Sequence, residues 1–297
     1  MRLISILFFL LSFNLTYAQN HIPEKIRLLT QYQSPYDGPN CFNASLVAKG
    51  YMNTIQYVDG MEFLFYLDKF CQQQKQNLLS RGNVLVYFGK ESYFEDEPSN
   101  GLQILHSSIS LGEAQIFEKT SIDGVHSQKL DQADRPGRYE VKKINDSPFS
   151  GDSGQNNGVK IRLSYACISS HIVRTQIEKL NSKSAINRLI LFRSKFNQAI
   201  LAPHGPDKEA TKKELDDFIK IVESVKGTSE ADLYLAAISK SVLGTVNSFM
   251  DEKETNYDQN LHESLIFLQE ATFDLLSRLR KHAKNPRIVK LLNQADI

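Results

Sequence analysis

The chain has 297 residues, 41% hydrophobic and 23% charged, with 35 Lys and Arg against 34 Asp and Glu. That balance excludes a disordered, collagenous or disulfide-dense chain, and it lacks the basic surplus of a nucleic-acid binder, so no nucleic-acid partner is expected. At ~150 residues per domain, the length suits two domains.

In chain order, the first predicted element is a leader. Arg2 supplies a positive start, residues 3–11 an almost unbroken apolar run, and Thr16-Tyr17-Ala18 small residues at the −3 and −1 positions. These are the marks of a signal peptide over residues 1–18, cut before Gln19. The apolar run is shorter than the ~20 residues of a spanning helix, so no stable membrane insertion is expected once it is removed. The mature chain is therefore expected to be secreted or periplasmic.

Residues 19–150 read as a mixed domain. Helices are expected over 42–49, closed by Gly50, and over 61–74, where Phe63, Leu64, Leu67, Phe70 and Cys71 fall at helical spacing. Strands follow at 84–88, 107–111, 114–118 and 139–144, with Leu111-Gly112-Glu113-Ala114 as a hairpin turn. Helices first and an antiparallel sheet afterwards make an α+β fold. Residues 145–158, rich in Asn, Asp, Ser and Gly, read as a linker or long loop.

Residues 159–297 read as a mainly helical domain that opens with a strand over 159–166. Helices are expected at 170–181, 185–201, 207–226, 229–249 and 258–284, with a short last one from Pro286. Ser229 with Asp232 resembles a capping box. The apolar stripes of these helices are expected to pack on one another as a bundle, with a protein partner as the alternative use of that surface.

The cysteines are Cys41, Cys71 and Cys167. An odd count leaves at least one thiol unpaired. Pairing Cys71 with Cys167 leaves Cys41 free, and three reduced thiols is the alternative.

Cys41 follows Asp37-Gly38-Pro39-Asn40 and opens a predicted helix. There the helix dipole and unpaired amides favour the thiolate, which is the nucleophile; the alternative is a buried structural cysteine. His106 stands at the mouth of the 107–111 strand, within reach of such a helix end, and suits the base. Across the hairpin, Glu118 returns beside His106, where its carboxylate would fix the imidazole tautomer; a surface pairing with Lys119 or Lys142 is the alternative.

This series resembles the NlpC-type branch of papain-like cysteine peptidases over roughly residues 30–144. The similar features are Tyr36, Cys41 at a helix start, the run Gly82-Asn83-Val84-Leu85-Val86-Tyr87-Phe88, and His106-Ser-Ser-Ile-Ser-Leu-Gly followed by Ile116-Phe117-Glu118. The resemblance implies a papain-like NlpC-type fold and cleavage of an amide bond in cell-wall peptide through an acyl-thioenzyme. Cys41 would be nucleophile, His106 general base and then acid, and Glu118 the orienting residue. Peptidoglycan or another peptide would be the substrate. Tyr36 and Asn40 are the substrate-side candidates, contributing to an oxyanion hole with the Cys41 N–H. Two departures stand out. Asn40-Cys41-Phe42-Asn43 replaces the usual Asp-Cys-Ser-Gly, and Glu118 replaces His, Asn or Gln. They keep two other readings open, a catalytically silent binding module and an acyltransferase of the same fold.

Glu91, Glu95, Asp96 and Glu97 form an acidic turn before His106 that would favour cationic substrate groups if it bordered the site. The remaining histidines singled out, His126, His171, His204, His262 and His282, have no ligand spacing, and no glycine-rich nucleotide loop occurs. Neither a metal nor a cofactor is expected.

Overall fold

The computed structural model describes residues 23–32, 40–75, 79–89, 103–120, 138–149, 159–181, 184–200, 208–252 and 259–294. The leader over 1–18, Tyr36, the acidic turn and residues 150–158 lie outside them. Among the described residues, three helices come first: α1 (Glu24–Gln31), α2 (Cys41–Ala48) and α3 (Gly60–Phe70). The strands are β1 (Cys71–Gln73), β2 (Val84–Gly89), β3 (Gln103–Gly112), β4 (Gln115–Thr120), β5 (Arg138–Lys143) and β6 (Val159–Cys167). Six helices follow: α4 (Ser170–Asn181), α5 (Ser184–Ile200), α6 (Lys208–Ser224), α7 (Glu230–Glu252), α8 (Gln259–His282) and α9 (Pro286–Gln294). The chain is thus α+β.

The strands form one sheet in the order β1-β6-β2-β3-β4-β5, antiparallel throughout. β2 is central and buried on both faces, which explains its unbroken apolar sequence. Val84, Val86 and Phe88 face the large core shared with the helices. Leu85 and Tyr87 face a smaller cluster with Ile116, Ile144 and Phe149. The β3–β4 turn carries positive φ at Gly112, Glu113 and Ala114.

One expectation is corrected. The helix expected over 61–74 stops at Phe70, because Cys71–Gln73 pair with Tyr165, Ala166 and Cys167 of β6. α3 is buried without a break from Met61 to Leu67 and again at Phe70, but hydrogen bonding to a strand 96 residues away decides the rest. β6 lies between β1 and β2, so strands from both sides of residues 150–158 build the same sheet. The apolar core is likewise continuous, joining Phe63 and Val86 to Leu235 and Leu275.

A Cys71–Cys167 disulfide joins residues directly opposite in the β1–β6 register, and Cys41 is free. At the start of α7, the Asp232 N–H donates to Ser229 Oγ at 3.3 Å while the Ser229 N–H donates to the Asp232 carboxylate at 3.0 Å, a reciprocal cap. Among the described residues, no helix is long and apolar enough to cross a membrane.

Candidate active site

α2 begins at Cys41 because Asn40 caps it. The Asn40 side-chain oxygen accepts the Asn43 N–H at 3.1 Å, and its Nδ2 donates to the Val58 carbonyl at 2.7 Å. Asn40, a substrate-side candidate, is therefore spent at least in part on the cap; Tyr36, the other, lies outside the described residues. The cap leaves Cys41 in the first turn, where the helix dipole favours an anion.

Ser107 on β3 holds this helix end to the sheet. Its Oγ donates to the Cys41 carbonyl at 3.0 Å, and Ser45 Oγ lies 2.9 Å away. With the Ser107 proton on the carbonyl, Ser45 is the donor in the second contact. The Ser107 backbone N–H donates to the Cys41 sulfur.

His106 precedes Ser107 and pairs across the sheet with Tyr87. Its Nε2 lies 2.9 Å from Glu118 Oε2, which leaves Nδ1 for the hydrogen bond between the imidazole and the Cys41 thiol. Counting from the Ile109–Phe117 pair, Glu118 is the diagonal neighbour of His106 on the same sheet face. Glu118 also accepts the Ser147 hydroxyl at 3.0 Å, and Lys142 Nζ stands 3.2 Å from its other oxygen. Lys142 therefore pairs with Glu118 as well, but on a buried carboxylate and not as the surface pairing offered as the alternative.

His106 is 2% exposed and Glu118 1%, so the pair titrates away from bulk water. Phe149 stacks on the imidazole with centroids 4.0 Å apart and planes at 11°, and the Tyr87 ring lies at 5.5 Å. Burial alone would push the imidazole pKa down. The Cys41 thiolate and the Glu118 carboxylate outweigh it and push His106 up to about 9. Burial pushes the Cys41 thiol up, but His106 and the Ser107 N–H more than offset it, and the thiol falls below its ordinary 9.0. Burial likewise opposes the Glu118 charge, and hydrogen bonding to His106 with the Lys142 cation holds the carboxyl below its ordinary range.

The three residues expected to act together, Cys41, His106 and Glu118, thus form one chain of hydrogen bonds. Ser107, Ser147 and Phe149 escaped sequence reasoning. Ser147 and Phe149 belong to the stretch read as a linker, where a single aromatic among polar residues was the available signal. Among the described residues, no group of three or more His, Cys, Asp and Glu comes together to hold a metal ion.

No family model, no curated protein and no solved structure matches this chain.

Proposed function

We propose that the protein is an exported cysteine hydrolase that cleaves an amide bond in cell-wall peptide, in the manner of NlpC-type papain-like peptidases. The observation that carries this reading is the Cys41–His106–Glu118 relay, with a thiol at a capped helix start and an imidazole held by a buried carboxylate. In the reaction, the Cys41 thiolate adds to the amide carbonyl carbon, and the Cys41 N–H in the first turn of α2 faces the oxyanion. The His106 imidazolium gives its proton to the leaving nitrogen as the C–N bond breaks, leaving a thioester. Neutral His106 then takes a proton from water, whose oxygen attacks the thioester. Collapse expels the thiolate, releases the acid and restores the ion pair. Glu118 stays ionised throughout and stabilises each imidazolium. The Cys71–Cys167 disulfide supports an oxidising compartment, in keeping with the leader-like residues 1–18.

The test is the rate of Cys41 alkylation against pH, mapped by mass spectrometry, in wild type and His106→Ala. Wild type should titrate well below an ordinary thiol at ~8.5, and His106→Ala should revert to that value. Digestion of peptidoglycan fragments should then be lost in folded Cys41→Ala. An ordinary thiol indifferent to His106 would overturn this reading in favour of a silent binding module. Transfer of the acyl group to an added amine at the expense of hydrolysis would identify the acyltransferase.

A further inference from the structure

Between α2 and α3, residues 54–59 touch the nucleophile helix on one side and the helical region on the other. Toward α2, the Val58 carbonyl accepts Asn40 Nδ2 at 2.7 Å, and the Thr54 carbonyl accepts Asn43 Nδ2 at 3.0 Å. The Gln56 N–H donates to Asn43 Oδ1 at 3.3 Å. Asn43 is fully buried, so its bonds to Thr54 and Gln56 are costly to leave unmade.

Toward the helical region, the Asp59 N–H donates to Ser241 Oγ of α7 at 2.8 Å, and Lys240 Nζ stands 3.5 Å from the Asp59 carboxylate. Ser241 Oγ in turn donates to Glu62 at 2.6 Å, and Glu62 is held bidentately by Arg193 of α5 at 2.6 and 3.2 Å. With its amide in the orientation that satisfies both ends, the Gln56 oxygen accepts from Arg193 at 2.8 and 3.0 Å. The Tyr57 ring lies flat against Gly244 of α7. A Cβ at Gly244 would overlap three carbons of that ring, so only glycine admits Tyr57 there.

We propose that residues 54–59 are a link through which the helical region sets the reactivity of Cys41, with Ser241 and Gly244 as positioning residues for a thiol they never touch. This rests on the reading of Cys41 as nucleophile. The physical step is the shared asparagine cap. Asn40 uses its oxygen to cap α2 and its nitrogen to hold Val58. If α7 pushes Tyr57 outward, Val58 is displaced, and Asn40 must either follow it and lose the cap or leave a carbonyl unpaired. Losing the cap turns the first turn of α2, and Cys41 moves relative to the His106 imidazole and the Ser107 N–H. The helical region is then the place where a bound partner would raise or lower the reactivity of the site.

The experiment is the Cys41 alkylation–pH profile in the full chain for wild type, Gly244→Ala, Ser241→Ala, Leu268→Ala and His106→Ala, each checked for folding by circular dichroism. Leu268 lies fully buried on α8 and destabilises the bundle on truncation without belonging to the link. Gly244→Ala should move the profile to higher pH and slow alkylation at neutral pH by about tenfold. Ser241→Ala, which removes one hydroxyl and no packing volume of note, should do the same in part and serves if Gly244→Ala does not fold. Leu268→Ala should keep the wild-type profile at a lower melting temperature. A wild-type profile in folded Ser241→Ala and Gly244→Ala, with His106→Ala reverted, would overturn the link alone. A profile indifferent to His106 would overturn the link together with the proposed function. A shift of equal size in Leu268→Ala would reduce the effect to general loosening and also overturn it.

Discussion

Glu62 and Glu118 are both carboxylates buried to 1% exposure or less, and both accept a serine hydroxyl. Their cations differ. Glu62 faces the Arg193 guanidinium in a two-bond fork, deep between α3, α5 and α7. Glu118 faces an imidazole that also bonds a thiol, with a Lys142 that is still 16% exposed along its side chain. An arginine never releases its proton at physiological pH, so the first arrangement fixes geometry and nothing else. A histidine does release it, so the second arrangement is a charge reservoir. The same residue type, equally buried, is structural in one place and chemical in the other because of its partner.

The largest effect should come from breaking the structural pair. Glu62→Gln leaves the Arg193 charge buried without its counter-ion and should lower stability by about 3–5 kcal/mol in urea denaturation. Replacing both partners, Glu62→Leu with Arg193→Met, should return part of that loss, since no charge is then left uncompensated. A Glu62→Gln stability within 1 kcal/mol of wild type, on the scale of an ordinary hydrogen bond, would contradict the reading of this site as a fixed ion pair.

The same substitution at the other site should spare the fold and damage the chemistry. In Glu118→Gln, Lys142 is near enough to solvent to rehydrate, and the amide still fills the space. The imidazolium, however, loses one of its two anions and keeps only the Cys41 thiolate. Turnover should fall by about a hundredfold, and the alkylation profile of Cys41 should move toward an ordinary thiol. Stability lost without any change in thiol reactivity would make Glu118 a second structural carboxylate and erase the contrast with Glu62.

How far the sequence told these sites apart follows from which signals are local. Cys41 at a helix start and Glu118 across a tight hairpin from His106 were readable, because a cap and a hairpin are short-range features, whereas His106 lies inside β3 and not at the strand mouth expected of it. The capping box at Ser229 and Asp232 was readable for the same reason. The Glu62–Arg193 pair was not, since its partners are 131 residues apart and nothing in a helical stripe marks a buried Glu as paired. Phe149 was hidden in a polar stretch whose composition argued for a linker, although its ring covers the imidazole. β6 was seen as a strand, but its place between β1 and β2 depends on pairings that no local pattern encodes. The end of α3 failed in the same way, where strand pairing overrode helical spacing at Cys71.

The smallest expected effect is also the one that separates the two carboxylates without altering either, namely the pH dependence of stability. His106 is raised from 6.5 to about 9 on folding, so the folded state holds this proton more tightly. Its stabilisation is fully present below the unfolded value near 6.5 and is lost as pH rises through about 9. Cys41 runs the other way. Its folded pKa lies below 9.0, so its contribution is present above 9.0 and is lost as pH falls through the folded value. Above about 9 the imidazole is neutral and the thiolate has lost its partner, so the histidine governs the alkaline side. Glu118, held below its ordinary range, contributes above the unfolded value near 4.5 and loses that contribution as pH falls through its folded pKa. The Glu62–Arg193 pair adds nothing to the alkaline change, because the guanidinium keeps its proton throughout that range. Between pH 6.5 and pH 9 the Cys41 contribution opposes that of the histidine, so urea denaturation should show wild-type stability falling by less than the histidine shift alone would give. Glu118→Gln should flatten that decline, whereas Glu62→Gln should lower the whole curve and leave its alkaline slope in place. An unchanged slope in Glu118→Gln would mean that the carboxylate does not hold the imidazolium.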